Sequence, residues 1–309
     1  MLSPILEQRR IETLGPAQSS CKVNCNPSFL CQPQAATHLA SLLMTTKATA
    51  DQVHQAAQAQ FGATAAAYSV SAGHGDQTAL RTLVALAAPK ETDKVLDIAT
   101  GAGHTALAFA PHVERVVAYD LTEAMLAETA KNAAHRGLTN VSTQHGPAEK
   151  LPFPGAAFDI VTVRLASHHF ADNAAAVREM ARVAKPGGKV VVVDNYGPED
   201  EALDDRLQHI EKLRDPSHVR SYRLSAWRAF LHNAGLKIQR EVTDHYSESK
   251  RGMDLDDWVR RSKTPPDHVA ELRRLFTTAA PDLRDLLSIQ LDGDAVWFRL
   301  PQVTFITER

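Results

Sequence analysis

The sequence predicts an α/β fold built on a doubly wound, mostly parallel sheet. Three features carry that prediction. From about residue 90 onward, strand-like and helix-like stretches alternate. The strand-like stretches are solid apolar runs, with Val190 to Val193 forming four consecutive valines, as suits strands buried on both faces. The first of these strands also runs through a Gly-x-Gly turn into a helix, in Val95-Leu96-Asp97-Ile98-Ala99-Thr100-Gly101-Ala102-Gly103-His104-Thr105.

Each segment follows from its pattern. Residues 1–50 hold only two acids, Glu7 and Glu12, and no sustained period, so they read as a disordered leader. Arg9, Arg10 and Lys22 among so few acids suit an organelle-targeting segment; translation from Met44 is the alternative. The expected compartment is the cytoplasm, or an organelle if residues 1–43 are a transit peptide. Cys21, Cys25 and Cys31 lack a fourth ligand at zinc-ribbon spacing, so no metal is expected.

Asp51–Gly62 and Gly75–Ala88 are expected as helices, the second with Leu80, Leu83, Val84 and Ala87 on one stripe. Strands are expected over Lys94–Ala99, Arg115–Asp120, Val141–Gln144, Phe158–Val163, Lys189–Asn195 and Leu236–Thr243. Helices are expected over Gly103–Pro111, Thr122–Arg136 with Thr122 as its cap, Asn173–Ala184, Leu224–Ala234, Asp254–Arg261 and Pro266–Thr277. Ala295–Thr307 is expected as one closing strand.

Lys and Arg total 34 against 36 for Asp and Glu, a formal charge of -2, which gives no general grip on nucleic acid or anionic lipid. No apolar run is long enough to span a bilayer. The basic residues Arg260, Arg261, Lys263, Arg273 and Arg274 alternate with Asp256, Asp257, Asp267 and Glu271, as on a solvated face.

The chemistry sits at the glycine turn. Asp120 ends the next strand, 17 residues past Gly103, where a carboxylate can accept both hydroxyls of a ribose. Gly101-x-Gly103-x-x-Ala106 alone also fits a dinucleotide site. Asp97 shifts the balance, because a pyrophosphate has no use for a neighbouring negative charge. A ligand carrying an ammonium and a sulfonium does, and S-adenosylmethionine is such a ligand.

These residues resemble those of class I S-adenosylmethionine-dependent methyltransferases of the type-11 group, relatives of the ubiquinone/menaquinone C-methyltransferases, over about residues 55–245. Asp97-x-Ala99-x-Gly101-x-Gly103 resembles the family's glycine loop, and Asp120-Leu121-Thr122-x-x-Met125-Leu126 its ribose-binding strand end. Gly146-Pro147-Ala148-Glu149-Lys150-Leu151-Pro152-Phe153 resembles its adenine loop. Phe158-Asp159, Leu165–Phe170 and Lys185-Pro186-Gly187-Gly188 resemble its fourth strand and the turn into the fifth. Arg214-Asp215-Pro216-Ser217-His218-Val219-Arg220 resembles a segment of small bacterial members.

The resemblance implies a Rossmann-like, seven-stranded sheet with an antiparallel C-terminal strand. It implies a methyltransferase domain over 51–309, with a cofactor core at about 90–200, an acceptor-covering insertion at about 197–224 and an extension at about 245–309. The cofactor would lie against Asp97, Ala99, Thr100, Gly101, Gly103, Asp120, Leu121, Met125, Ala148 and Glu149, with Arg164 and Tyr68 beside it. Phe61 and Tyr68 resemble part of the family's N-terminal lid. His168 and His169 are the candidate bases, and Arg164 and Ser167 are expected to touch the cofactor or the acceptor. Tyr196, His218, Arg220 and Tyr222 are candidates for the acceptor pocket.

Two positions depart from the family. Ala99 replaces a common glycine, so its backbone is expected to avoid the left-handed region. Pro147 replaces the aspartate that resembles the adenine partner, so the N–H groups of Ala148 and Glu149 are expected to read the adenine edge. The acceptor is expected to be a small or lipophilic molecule and not nucleic acid, because strand four lacks an Asn/Asp-Pro-Pro-aromatic ending. The rival readings are a nicotinamide-dependent oxidoreductase, for which Tyr246-x3-Lys250 is the one supporting pair, and a non-catalytic S-adenosylmethionine-binding protein.

Overall fold

The computed structural model describes residues 48–69, 71, 74–243 and 252–309. The leader with its three cysteines and the Tyr246/Lys250 pair lie outside the described residues. Two helices come first, α1 (Ala50–Ser69) and α2 (Gln77–Ala87). The core then alternates: β1 (Lys94–Ile98), α3 (His104–Phe109), β2 (Arg115–Asp120), α4 (Glu123–His135), β3 (Val141–His145), β4 (Phe158–Arg164), α5 (Asn173–Val183) and β5 (Ala184–Asn195). Next come α6 (Glu201–Arg214), α7 (Leu224–Asn233) and β6 (Lys237–Val242). The remainder is β7 (Met253–Asp254), α8 (Leu255–Arg261), α9 (Pro266–Thr277), α10 (Pro281–Leu286), β8 (Gln290–Asp292), β9 (Ala295–Phe298) and β10 (Gln302–Glu308).

The seven-stranded sheet has the order β3-β2-β1-β4-β5-β10-β6, and β10 runs antiparallel to both of its neighbours. The solid apolar runs are buried as their pattern demands, with Val95, Leu96 and Ile98 of β1 and Val190 to Val192 of β5 fully covered. One face packs on α5 and α7 through Met180 and Trp227, the other on α2 and α3 through Leu83 and Phe109. Asp76 and Asp172 cap α2 and α5 by accepting backbone N–H bonds.

Several elements differ from the sequence expectation. α1 runs through Gly62 to Ser69, because Ala63, Ala65, Ala66 and Ala67 are strong helix formers that carry the helix past the glycine. Thr122 stands at the N-cap of α4 without its side chain capping the helix. The expected closing strand divides at Pro301, which has no N–H for a ladder. β9 pairs with β7 and β8 in a separate three-stranded sheet, and β10 returns to the main one. Residues 253–300 thus form an insertion whose core, shared with Leu207 and Ile210 of α6, has Phe298 meeting Trp258 and Phe276 at ring separations of 4.9 and 4.7 Å.

α6 carries an apolar stripe at helical spacing, Leu203, Leu207 and Ile210, and is a helix the sequence expectation did not include. Its buried face mixes Leu207 and Ile210 with Asp204, Glu211 and Arg214.

Candidate active site

The strand order reverses between β1 and β4, and the crevice outside their carboxyl ends is where such sheets hold ligands. A cleft with about 960 Å³ of empty space opens there. The β1–α3 loop makes its floor. Asp97 is 1% exposed, and its carboxylate accepts from Thr100 Oγ1 at 2.6 Å, Thr162 Oγ1 at 2.7 Å and the Ala106 N–H at 3.0 Å. Burial pushes its carboxyl up to about 6 despite those three bonds. Asp97 therefore fastens the loop to β4 and to the start of α3 as well as placing negative charge beneath the cleft.

Ala99 corrects the sequence expectation, since its φ of 51° is left-handed. The conformation costs a non-glycine residue about 1–2 kcal/mol. The next residue holds it there, with Thr100 N–H donating to the Tyr119 carbonyl at 3.0 Å and its hydroxyl donating to Asp97. Leu165, at the end of β4, is left-handed as well, at φ 54°, and its N–H donates to the Val193 carbonyl at 2.7 Å. Both strained residues border the cleft, where stored backbone strain tends to collect. Gly103 has φ 87°, and a Cβ there would meet the Thr129 side chain at 2.8 Å, so the tight turn needs glycine.

Asp120 borders the cleft 7% exposed and accepts from Gly101 N–H and Thr122 N–H, both at 2.8 Å. Burial raises its carboxyl against these bonds. Thr100, Gly101, Leu121, Met125 and Ala148 also border the cleft. Pro147 turns its carbonyl to the Tyr119 hydroxyl at 3.1 Å. Glu149 acts as a clasp, accepting from the Ala171 N–H at 2.8 Å and meeting His54 Nε2 of α1 at 3.2 Å.

α1 forms one wall. Tyr68 packs with Ala65 and Met125, and Phe61 sits edge-on to His169 at 4.8 Å. Gln58 donates to the Leu121 carbonyl at 3.1 Å. His74 and His104 complete the wall, and sequence reasoning missed both. His104 Nε2 meets the Tyr68 carbonyl at 3.0 Å, and Arg164 donates to the His74 carbonyl at 2.9 Å. Burial together with Arg261 and Arg164 holds His74 well below its usual range. Burial also brings Arg164 down to about 10, against the attraction of Asp97 and Asp76. The available signals were His74 between two glycines and His104 directly after the glycine turn.

The two histidines after β4 have different settings. His169 borders the cleft and His168 does not. Burial alone would lower His168, but Asp194, with Oδ1 2.6 Å from Nδ1, raises it and favours the imidazolium. The His168 carbonyl also accepts from Val219 and Arg220 N–H, at 2.8 and 3.1 Å. His169 is held neutral, down to about 4, by burial and by the charge of His168. Its Nδ1 lies 3.1 Å from the Ser217 carbonyl, which can only accept, so the proton is on Nδ1 and Nε2 keeps its lone pair.

None of the four acceptor-pocket candidates borders the cleft. Arg220 is ion-paired with the fully buried Asp204, which Arg223 also joins at 3.0 Å. Tyr222 packs edge-on against Phe230 and Trp227, and Tyr196 packs against the sheet core, with burial raising its hydroxyl. His218 is buried against Gln208 at 3.0 Å. Ser167 Oγ is buried without a partner. Among the described residues no cluster of His, Cys, Asp or Glu has metal-holding geometry, and no helix is long and apolar enough to cross a membrane.

A family described as a methyltransferase domain matches residues 96–192, the stretch that builds this floor. YcgJ of Bacillus subtilis, an uncharacterized methyltransferase, is 41% identical over 212 residues, covering 68% of this chain and 82% of that protein. Its crystal structure superposes with a TM-score of 0.67 at 36% identity, covering 74% of this chain and 98% of that one. YafE of Escherichia coli, an uncharacterized protein, is 39% identical over 191 residues, covering 62% of this chain and 90% of that protein. The ubiquinone/menaquinone biosynthesis C-methyltransferase UbiE of Shewanella frigidimarina is 36% identical over 127 residues, 40% of this chain and 51% of that protein. Shared sequence across the sheet, its loops and most of YcgJ's length leaves one conclusion: the chain belongs to the methyltransferase-domain family and is a Rossmann-like methyltransferase.

Proposed function

We propose that the cleft holds S-adenosylmethionine and that the enzyme methylates a small molecule presented beside His169. The observation that carries this reading is a pair of buried carboxylates, Asp97 and Asp120, at the carboxyl ends of β1 and β2 around a left-handed glycine loop. The fit is favourable at three places. Asp120 has lone pairs beyond its two backbone bonds, enough to accept ribose hydroxyls. Met125 and Ala148 give the adenosyl group apolar walls. The cleft end shared by Asp97, His74, His104 and Arg164 supplies mixed charge for an amino-acid moiety.

Bound there, the cofactor supplies a methyl group already activated on a sulfonium. The residues of the chain then bind, align and exclude water. Phe61 and Tyr68 cover the site from α1. His169 Nε2 takes a proton from an acceptor that must lose one, and the Ser217 carbonyl keeps the ring in the required tautomer. Titration calorimetry with S-adenosylhomocysteine tests the reading: saturable one-site binding is expected, and no heat from folded protein would overturn it.

A further inference from the structure

Behind His169 lies a group of side chains that the mechanism above does not use. Glu211 and Arg214 end α6, and Asp215 and His218 follow in the next turn. They are between 1% and 7% exposed. Each leaves a buried polar atom with no hydrogen-bond partner: Glu211 Oε1, Arg214 Nε, Asp215 Oδ2 and His218 Nδ1. Folded proteins satisfy nine in ten or more of their buried polar groups, so four orphans within eight residues of chain need an explanation.

The orphans are neighbours in space. His218 Nδ1 is 3.9 Å from Glu211 Oε2, too far for a hydrogen bond. Gln208 Oε1 accepts from Ser221 N–H and faces His218 Nε2, both at 3.0 Å, so His218 carries its proton on Nε2 and Nδ1 is a bare acceptor. Asp215 Oδ1 is taken by Ser217 N–H at 2.9 Å and by the Ser217 hydroxyl at 2.6 Å, and Oδ2 is left over. The charge of Arg214 acts on Glu211, Asp215, His169 and His218 alike. Arg214 nevertheless forms no ion pair with either carboxylate. Its guanidinium lies over the Trp258 ring, 5.0 Å from the centroid. A cation and an anion adjacent in sequence and buried side by side, yet unpaired, are arranged to meet a third group. His169 connects this enclave to the cleft, bordering the cleft with one edge and bonding Ser217 with the other.

We infer that this enclave is the distal half of the acceptor site. Its occupant is a compact hydrophilic molecule that offers an acidic or carbonyl oxygen to Arg214 and hydroxyl or amine protons to Asp215, Glu211 and His218. The inference rests on the methyltransferase reading and narrows its substrate class. A lipophilic ring would bury all four polar atoms without satisfying any, whereas a molecule bearing both donors and acceptors satisfies each one. Trp258 and Arg214 together make the 253–300 insertion part of the acceptor site.

The test incubates the full chain with methyl-labelled S-adenosylmethionine and a metabolite extract, removes the unreacted donor by chromatography, then partitions the labelled products between water and octanol. Label is expected in the water phase. Arg214→Met and the isosteric Glu211→Gln are each expected to raise the extract concentration needed for half-maximal labelling about tenfold or more. Their affinity for S-adenosylhomocysteine should stay within about twofold. Label in octanol, water-phase label indifferent to both variants, or no labelled product from protein that binds S-adenosylhomocysteine overturns the inference. Variants that melt lower and label normally mark the enclave as structural and overturn it too. Failure of the unmodified protein to bind S-adenosylhomocysteine is a different result, and it overturns the methyltransferase reading itself.

Discussion

His169 Nδ1 donates to the Ser217 carbonyl at 3.1 Å, and that bond leaves Nε2 as the basic nitrogen. It joins the turn after β4 to the segment after α6, so the base is positioned by a stretch remote in sequence. His169→Gln is expected to lower kcat by about 10²–10⁴-fold, the usual contribution of a positioned general base. Affinity for S-adenosylhomocysteine should stay nearly intact. A calorimetric titration beside a steady-state assay separates the two, and joint loss would reassign His169 to pocket shape.

The depressed titration of His169 sets a pH signature. Its ordinary value is 6.5 and the folded one about 4, so the ring is neutral in the folded enzyme through the mildly acidic range. Its stability contribution is present above pH 6.5 and is lost as pH falls from there toward about 4. Activity limited by this base should therefore persist below pH 6. A pH–rate profile that collapses near 6.5 would be the contrary result.

His168 carries the opposite sign. Its titration is raised, so its pairing with Asp194 contributes stability that is complete below the unfolded value of 6.5 and lost as pH rises through the folded one. Asp194→Asn leaves a buried imidazole without its anion and is expected to destabilise the fold by about 3–5 kcal/mol. Urea melts from pH 6 to 9 should show an alkaline decline in the natural chain and a flatter profile in the variant.

Asp120→Ala is expected to weaken S-adenosylhomocysteine binding by about 1.5–3 kcal/mol, the range for hydrogen bonds to a charged group. The carboxylate also holds Gly101 and Thr122, so Asp120→Asn, which retains one acceptor oxygen, should lose less. Equal affinities for all three proteins would remove Asp120 from the ribose.

Ala99 offers a stability test at the same loop. Ala99→Gly relieves the left-handed strain, offset in part by the added freedom of the unfolded chain. A net gain of about 0.5–1 kcal/mol is expected. Ala99→Val, branched at the same angles, should melt below the natural chain. Thermal melts of the three proteins check the order.

The parts of the site visible in sequence were those written by contiguous runs. Asp97, Gly101 and Asp120 fall at or just past strand ends set by unbroken apolar stretches, and each borders the cleft, whereas Gly103 shapes the turn without lining it. Ala99 was misjudged because alanine's local preference is overridden by what Thr100 bonds to across the sheet. His218 and Arg220 were expected in an acceptor cover, and the structure bonds them to Gln208 and Asp204, both on α6. That helix does carry the stripe Leu203, Leu207 and Ile210, but Asp204, Glu211 and Arg214 are buried beside it, and charged residues read in sequence as a solvated face. His74 and His104 were missed for another reason: single histidines carry no spacing, and only the folded chain brings them together.

The position of β10 bears on how the protein is made. β6 reaches the main sheet only by pairing with β10, and until that strand is synthesised the valine-rich edge of β5 has no partner. During translation of the 253–300 insertion the nascent chain therefore carries an open, aggregation-prone border. Truncations that stop short of Gln302 should need chaperones to stay in solution.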